Sequence, residues 1–401
     1  MSMSDHIAGP RYLSMAARLG DRLCQDALWD GDRCSWGGAA MEPVDRDWAN
    51  VWRTAGPTIY EGTAGIALFL GRLHSFTGGT QHADAARGAM RQAISRVETI
   101  PPGAAYGFYA GRLGIAFAAE AVGRLCRTPH LLETASRLAK EALDADVATQ
   151  ESDVISGLAG AIPALIALSA RLSDDGLLVA ALRCGEALLS REKQHPHGSS
   201  WPATWDTTGP DLVGYSHGTA GIAVGLLELH AISGDGRFRM GADRAHTYER
   251  HWFDPVQGNW PDLRFLGSQP GAQPGFPVYW CHGACGIGFA RLRVAAITGD
   301  PVLRAEAETA VATTARMLDA LAGGSAAGGF DANFSLCHGM AGNADLMLSA
   351  ADQLDDPELR RRAYLVGDLG IARHGSSSAW PCGVPGGGET PGLLLGLAGI
   401  G

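Results

Sequence analysis

Three segments of the sequence each carry two residues that can bind a metal ion or transfer a proton, followed directly by a glycine. They are Ser216-His217-Gly218, Cys281-His282-Gly283 and Cys337-His338-Gly339. Thiolate sulfur and imidazole nitrogen are ligands that zinc prefers in proteins. Two thiolates and one imidazole leave the fourth zinc position open, which is typical of catalytic sites. Two Cys-His pairs in equivalent positions therefore predict a catalytic zinc site. The alternative is that these cysteines are small buried core residues and that the histidines form loop hydrogen bonds.

The glycine after each pair belongs to a Gly-x-x-Gly motif, followed by an apolar run, that recurs seven times. The first glycines of the motifs are Gly62, Gly111, Gly157, Gly218, Gly283, Gly339 and Gly396. They are spaced by 49, 46, 61, 65, 56 and 57 residues. Self-similarity at this period indicates a repeat architecture, and each spacing accommodates two helices with their connections.

The runs after the glycines are apolar on nearly all sides, which favours helices buried on both sides. Between them lie stretches with one apolar face, at Leu131–Val147, Val302–Leu321 and Leu359–Arg373, typical of helices with a solvent-facing side. Strand-like alternation is scarce. The sequence therefore predicts an all-α fold, a closed α/α toroid with a double ring of inner and outer helices. An open solenoid is the alternative arrangement.

Composition narrows the class of protein. Hydrophobic residues make up 46% of the 401 residues and the formal net charge is −10, so we expect a globular protein that does not bind nucleic acid. The N-terminus lacks a secretory signal pattern, and the most apolar stretch, 157–170, is too short to span a membrane. We therefore expect no membrane span and a cytoplasmic location. The eight cysteines are then better interpreted as metal ligands or core residues than as disulfides.

The repeats begin near residue 61, so the chain is predicted to form one domain over residues 1–401 with an N-terminal segment at 1–50. The last repeat stops at Gly401, before its inner helix is complete, so we expect either that the ring closes imperfectly or that the final repeat is truncated.

The residues around these motifs resemble the lanthionine synthetase C-like family. The resemblance rests on Trp280-Cys281-His282-Gly283, Cys337-His338-Gly339, Ser216-His217-Gly218, Pro391-Gly392 and Gly396-Leu397-Ala398-Gly399. It covers the chain from about Glu61 to the end. It implies a double ring of helices with one zinc ion per chain held by Cys281, Cys337 and His338. It also implies a cyclase that adds peptide cysteine thiols to dehydroalanine or dehydrobutyrine, which forms lanthionine or methyllanthionine thioether rings.

Zinc deprotonates a bound thiol whose ordinary pKa is about 8.5, and addition of the thiolate then gives an enolate that must be protonated. His217 is predicted to act as the general acid or base. Asp153 matches the family's acidic position and is predicted to orient His217; a helix N-cap near a loop is its alternative role.

Some family members carry an arginine shortly before the first zinc cysteine, whereas segment 275–280 holds no basic residue. The cation that would stabilise the enolate is therefore unassigned, with Arg264 and Arg291 as substitutes. His282 is the nearest residue for that task, and we expect it to be catalytic or to support the ligands rather than to bind zinc. Cys285 is expected to be a packing residue.

The expected partners are a dehydrated precursor peptide as substrate and a separate dehydratase that prepares it. Two rival functions remain at this stage: a zinc enzyme that adds glutathione or another small thiol to electrophilic residues, and a zinc- or thiol-binding adaptor without turnover. A glycosidase on a similar ring needs two facing carboxylates, for which only Asp153 and Glu61 are available near the predicted mouth.

Overall fold

The structure of the chain is a computed structural model. It describes residues 3–44, 47–203, 209–264, 266, 273–323, 333–376 and 379–401. Within these ranges the chain forms fourteen α-helices and six short strands. The helices alternate along the chain between an inner and an outer ring, so the fold is the predicted all-α toroid.

Seven inner helices each begin directly after the first glycine of a repeat, as predicted. They are α2 (Thr63–Thr77), α4 (Arg112–Leu125), α6 (Leu158–Leu172), α8 (Thr219–Ser233), α10 (Ala284–Thr298), α12 (Met340–Leu354) and α14 (Leu397–Ile400). Their residues form much of the core; Ile66, Leu165 and Ile287 are fully buried. Burial of such side chains is the main stabilising contribution to a fold of this kind.

Seven outer helices surround the inner ring. Six follow an inner helix: α3 (Thr80–Ser95), α5 (Pro129–Leu143), α7 (Asp175–Ser190), α9 (Gly236–Trp252), α11 (Pro301–Ala322) and α13 (Pro357–His374). The three amphipathic stretches of the sequence analysis are thus confirmed as α5, α11 and α13, although α5 ends at Leu143 rather than Val147. Asp146 causes the difference, because its side chain accepts a bond from the backbone N–H of Ala148 and starts a separate 3-10 turn.

The seventh outer helix comes from the opposite end of the chain. Helix α1 (Met3–Gln25) packs against α14 and also contacts α2, α3 and α13. Leu19 and Leu23 are buried in these contacts. The N-terminal segment that the sequence set apart from the repeats therefore supplies the outer partner of the last inner helix.

A circle of backbone hydrogen bonds closes the ring. The loop before each inner helix donates an N–H to a carbonyl of the next loop, at N···O distances of 2.8 to 3.3 Å. The links run from Tyr60 to Tyr109, Tyr109 to Ile155, Val154 to Ser216, Ser216 to Cys281, Cys281 to Cys337, Cys337 to Leu394 and Leu394 back to Tyr60. Because the last link returns to the first repeat, the toroid is closed and the open solenoid is wrong.

The described residues also form three antiparallel β-hairpins, which were not predicted. They pair β1 (Leu28–Asp30) with β2 (Arg33–Ser35), β3 (Gly37–Val44) with β4 (Asp47–Thr54), and β5 (Lys193–His195) with β6 (Gly198–Ser200). The β3–β4 hairpin pairs in register from Gly37 opposite Thr54 to Val44 opposite Asp47. It lies beside the last repeat, where the Asn50 side chain donates to the Pro385 carbonyl at 2.6 Å.

Among the described helices, none combines the length and the apolar composition that a membrane crossing requires.

Candidate metal centre

The backbone circle places one residue of every repeat on a common rim. In six of the seven links the donor lies two positions before the repeat glycine, the position that Cys281 and Cys337 hold in adjacent repeats. The Cys281 N–H donates to the Cys337 carbonyl at 3.3 Å, so the two sulfur-bearing residues are neighbours because their loops are neighbours.

Cys281, Cys337 and His338 form a group that could hold a metal ion. The potential ligand atoms all lie within 4.8 Å of one another, and both cysteines are buried. All three residues were predicted from the sequence, and the structure brings them together. Two sulfur atoms and one imidazole nitrogen are a donor set that suits zinc.

The hydrogen bonds around this group fit metal binding. His338 Nε2 lies 2.7 Å from the Gly383 carbonyl oxygen, which can only accept, so Nε2 carries the proton and Nδ1 keeps the lone pair for a ligand bond. The Tyr60 hydroxyl donates to Cys337 Sγ at 3.0 Å. A hydrogen bond from the Cys281 thiol lowers the pKa of Cys337. Donation of this hydrogen bond to Cys337, together with burial, raises the pKa of Cys281.

Gly283 gives the first cysteine loop its shape. The glycines at the start of the other six inner helices have extended backbone, whereas Gly283 has a φ of +80°. A Cβ atom here would lie 1.8 Å from the Pro277 carbonyl oxygen. The Tyr279 N–H donates to the His282 carbonyl at 3.0 Å across this turn. Only glycine combines this left-handed conformation with such a close backbone approach.

His217 and Asp153 form a hydrogen-bonded pair on the same rim. His217 Nδ1 donates to Asp153 Oδ2 at 2.6 Å, while Asp153 Oδ1 accepts from the Ser156 N–H at 2.7 Å. Asp153 therefore contacts His217 and also holds its own loop, whereas the N-cap of the following helix is Gly157, without a side-chain cap bond. With its proton on Nδ1, neutral His217 keeps a lone pair on Nε2, as a general base requires.

His282 lies beside this pair but outside the ligand group. Its ring centroid is 6.1 Å from that of His217. Burial, together with the charge of Arg264, lowers the pKa of His282 to about 3, so the ring is neutral at physiological pH. Its Nε2 atom is buried and has no hydrogen-bond partner among the described residues.

Arg264 is a cation whose charge acts on both cysteines of the group. It pairs with Asp262 at 2.6 Å, and Asp262 Oδ1 lies 3.9 Å from His282 Nδ1. Although burial opposes it, the bond to Asp262 raises the pKa of Arg264, and the Arg264 charge also lowers the pKa of Cys337.

The other substitute, Arg291, is fully buried elsewhere, between Glu249 and Glu306 at 2.6 Å from each. It serves the packing of α9, α10 and α11. Cys285 is likewise a packing residue: its thiol donates to the Gly342 carbonyl at 3.6 Å, and burial raises its pKa well above the ordinary value.

The family model of the lanthionine synthetase C-like protein matches residues 54–401. The chain belongs to this family. It is also similar to the lacticin 481/lactococcin biosynthesis protein LcnDR2 of Lactococcus lactis subsp. lactis, at 22% identity over 192 residues. That match covers 47% of this chain and 20% of the relative, so the chain spans about a fifth of the curated relative's length. Among solved structures, a nisin cyclase aligns with a TM-score of 0.61 and 17% identity, over 86% of this chain and 87% of that chain.

Two residues of the site, Tyr60 and Asp262, were not predicted from the sequence. Tyr60 lies two residues before Gly62, the position of Cys281 and Cys337 in their repeats, so register could have found it. Asp262 lies in an irregular segment without a repeat position, and no sequence signal marked it. Aromatic rings complete the rim, with Trp280 5.1 Å from Tyr109 and 5.4 Å from Tyr215 between centroids.

Proposed function

We propose that this chain is a zinc-dependent lanthipeptide cyclase. The observation that carries the proposal is that the Cys281, Cys337 and His338 group shares one rim with the hydrogen-bonded His217–Asp153 pair. A zinc ion on this group would supply the Lewis acidity that converts a peptide cysteine thiol to its thiolate at neutral pH. Three protein ligands leave a position for the substrate sulfur.

His217 acts as the general base and then as the general acid of the reaction. Its Nε2 accepts the proton that leaves the substrate thiol, while Asp153 holds the ring in one tautomer and stabilises the cationic form. The substrate sulfur then bonds to the β-carbon of the dehydro residue, and the π electrons move to form an enolate. The proton returns from His217 to the α-carbon, so the ring closes without a change of mass.

The enolate oxygen needs hydrogen-bond donors or positive charge near it. Arg264 supplies a fixed cation in place of the arginine missing from segment 275–280, and its pairing with Asp262 holds the side chain in place. His282 supplies a neutral imidazole beside His217. Of the two substitutes offered by the sequence, this assignment chooses Arg264, and it keeps His282 in the catalytic set.

The substrate would be a ribosomally made precursor peptide that already carries dehydroalanine or dehydrobutyrine. These residues arise from serine and threonine by dehydration, and we propose that a separate dehydratase carries out this step. All eight cysteines are free thiols, which is consistent with the cytoplasm, the location that we propose.

The glycosidase alternative has no support in the site, since Asp153 is bonded to His217 and Glu61 is paired with Arg53. Small-thiol transfer and an adaptor role share the metal group with a cyclase. The His217–Asp153 pair favours turnover over an adaptor, because an adaptor has no need of a positioned base.

The proposal is tested with zinc-loaded protein and a synthetic peptide that contains one cysteine and one dehydroalanine. Cyclisation removes the free thiol without a mass change, faster than the uncatalysed reaction, and Cys337→Ala abolishes the acceleration. Added glutathione tests the first rival, which would give a mass increase of one glutathione. Zinc binding with no acceleration of either reaction would contradict the proposal and favour an adaptor.

A further inference from the structure

We propose that Tyr60 is a positioning residue for the metal centre, whose hydroxyl donates a hydrogen bond to Cys337 Sγ and tunes how strongly that sulfur binds the metal. The O···S distance is 3.0 Å. The inference rests on the zinc site of the proposed function and assigns a role to a residue of the first repeat, far in sequence from all three ligands.

The fold fixes Tyr60 on both sides of its backbone. The Tyr60 N–H donates to the Tyr109 carbonyl at 2.9 Å, and the Tyr60 carbonyl accepts from the Leu394 N–H at 2.8 Å. The Leu394 carbonyl in turn accepts from the Cys337 N–H at 2.9 Å. Tyr60 and Cys337 therefore flank the Leu394 loop, and ring closure brings the phenol to the sulfur.

The contact changes the electron density on Cys337 Sγ. A phenol O–H is a donor at neutral pH, and donation to a thiolate withdraws electron density from the sulfur. Cys337 would thus be a weaker electron donor than it is without this bond, and a bound metal would keep more positive charge to activate the substrate thiol. Partners of this kind typically change metal affinity 10- to 100-fold.

Tyr109 provides a matched comparison within the same ring. It lies two residues before Gly111, so it has the register position of Tyr60 in the second repeat and takes part in the same backbone circle. None of the hydrogen bonds of the described residues joins its hydroxyl to a sulfur atom. Tyr109→Phe therefore removes a phenol hydroxyl at the same register position but leaves the hydrogen bond between Tyr60 and Cys337 in place.

The test replaces zinc by Co²⁺, whose sulfur-to-metal charge-transfer absorption reports on each thiolate. Tyr60→Phe should move this absorption to lower energy, since the sulfur becomes richer in electrons, and should change the zinc affinity about 10-fold in competition with a chelator. Tyr109→Phe should leave both readouts as in the wild type. Incorporation of 3-fluorotyrosine at position 60, a stronger donor of nearly the same shape, should move the absorption to higher energy.

An unchanged spectrum and zinc affinity in folded Tyr60→Phe would overturn the inference. If Tyr60→Phe does not fold, the fluorotyrosine protein decides, and no spectral change there would also overturn it. A wild-type protein that binds no Co²⁺ through sulfur would instead contradict the proposed metal site, so the two failures are distinguishable.

Discussion

The Asp153 carboxylate accepts two hydrogen bonds, one from the His217 ring and one from the backbone of its own loop. Asp153→Asn keeps the size of the side chain but removes the charge that favours the protonated ring of His217. We expect cyclisation to slow by about 100-fold, within the range that positioned acid–base groups contribute, while the zinc content stays at the wild-type value. The measurement is single-turnover ring closure with metal analysis of the same sample.

Asp146→Asn is the matched control, because Asp146 also holds a loop but lies in the 3-10 turn before the Asp153 loop. Equal losses in both variants would show that loop stability, and not the partnership with His217, explains the effect.

Register explains why most of the site could be predicted at the residue scale. Cys281 and Cys337 lie two residues before their repeat glycines, and His217 and His338 lie one residue before theirs, so alignment alone placed these residues together. Arg264 could only be offered as one of two substitutes, because it lies in an irregular segment and reaches the site through Asp262. No periodic pattern encodes such a contact.

At the scale of the element, the loop before α10 depends on Gly283. Gly283→Ala adds a Cβ atom to a left-handed backbone and against the Pro277 carbonyl. The loop must then change shape, and we expect both a lower free energy of unfolding and weaker zinc binding. Gly299→Ala is the matched control, since Gly299 has a φ of +67° but no atom within 4 Å of its Cβ position. It should cost about 1–2 kcal/mol and leave zinc affinity intact; an equal loss of zinc in both variants would contradict this explanation.

The inner helix of the fifth repeat, α10, is joined to the outer helix of the fourth repeat, α9, by a buried charge pair. Arg291 on α10 is fully buried against Glu249 on α9. Arg291→Met leaves the carboxylate without its partner, and we expect unfolding by urea to show a loss of about 3–5 kcal/mol.

Arg293→Met on the same helix is the comparison, because Arg293 is half exposed where it pairs with Glu228. Its loss should be about 0–1 kcal/mol. Similar losses in the two variants would show that burial of the Arg291 pair is not what stabilises this contact.

Across the whole molecule, the closed ring depends on residues from both ends of the chain. Leu19 on α1 is 2% exposed, where α1 takes the outer position beside α14. Leu19→Ala should therefore destabilise the entire toroid by about 2–5 kcal/mol in a single cooperative transition. Leu13→Ala, on the same helix but 38% exposed, should have a smaller effect. A separate early transition in the Leu19 variant would show that α1 is an appendage instead of part of the ring.

The number of repeats and the inner helices could be predicted because each repeat carries the same local glycine signal. The role of α1 could not be predicted, because it has no such motif and its partner, α14, is almost the full length of the chain away. The β3–β4 hairpin was missed for a related reason. Its position beside Pro385 depends on ring closure and not on a local pattern.

The central claim is that Cys281, Cys337 and His338 hold one zinc ion at the mouth of the ring. The most direct measurement is the zinc content of the purified protein by inductively coupled plasma mass spectrometry. The Cys337→Ala and Cys285→Ala variants are measured in parallel. We expect one zinc per chain in the wild type and in Cys285→Ala, whose sulfur is only a packing group, and no stoichiometric zinc in Cys337→Ala. A wild-type chain without zinc after loading, or a Cys337→Ala chain that retains it, would contradict the account.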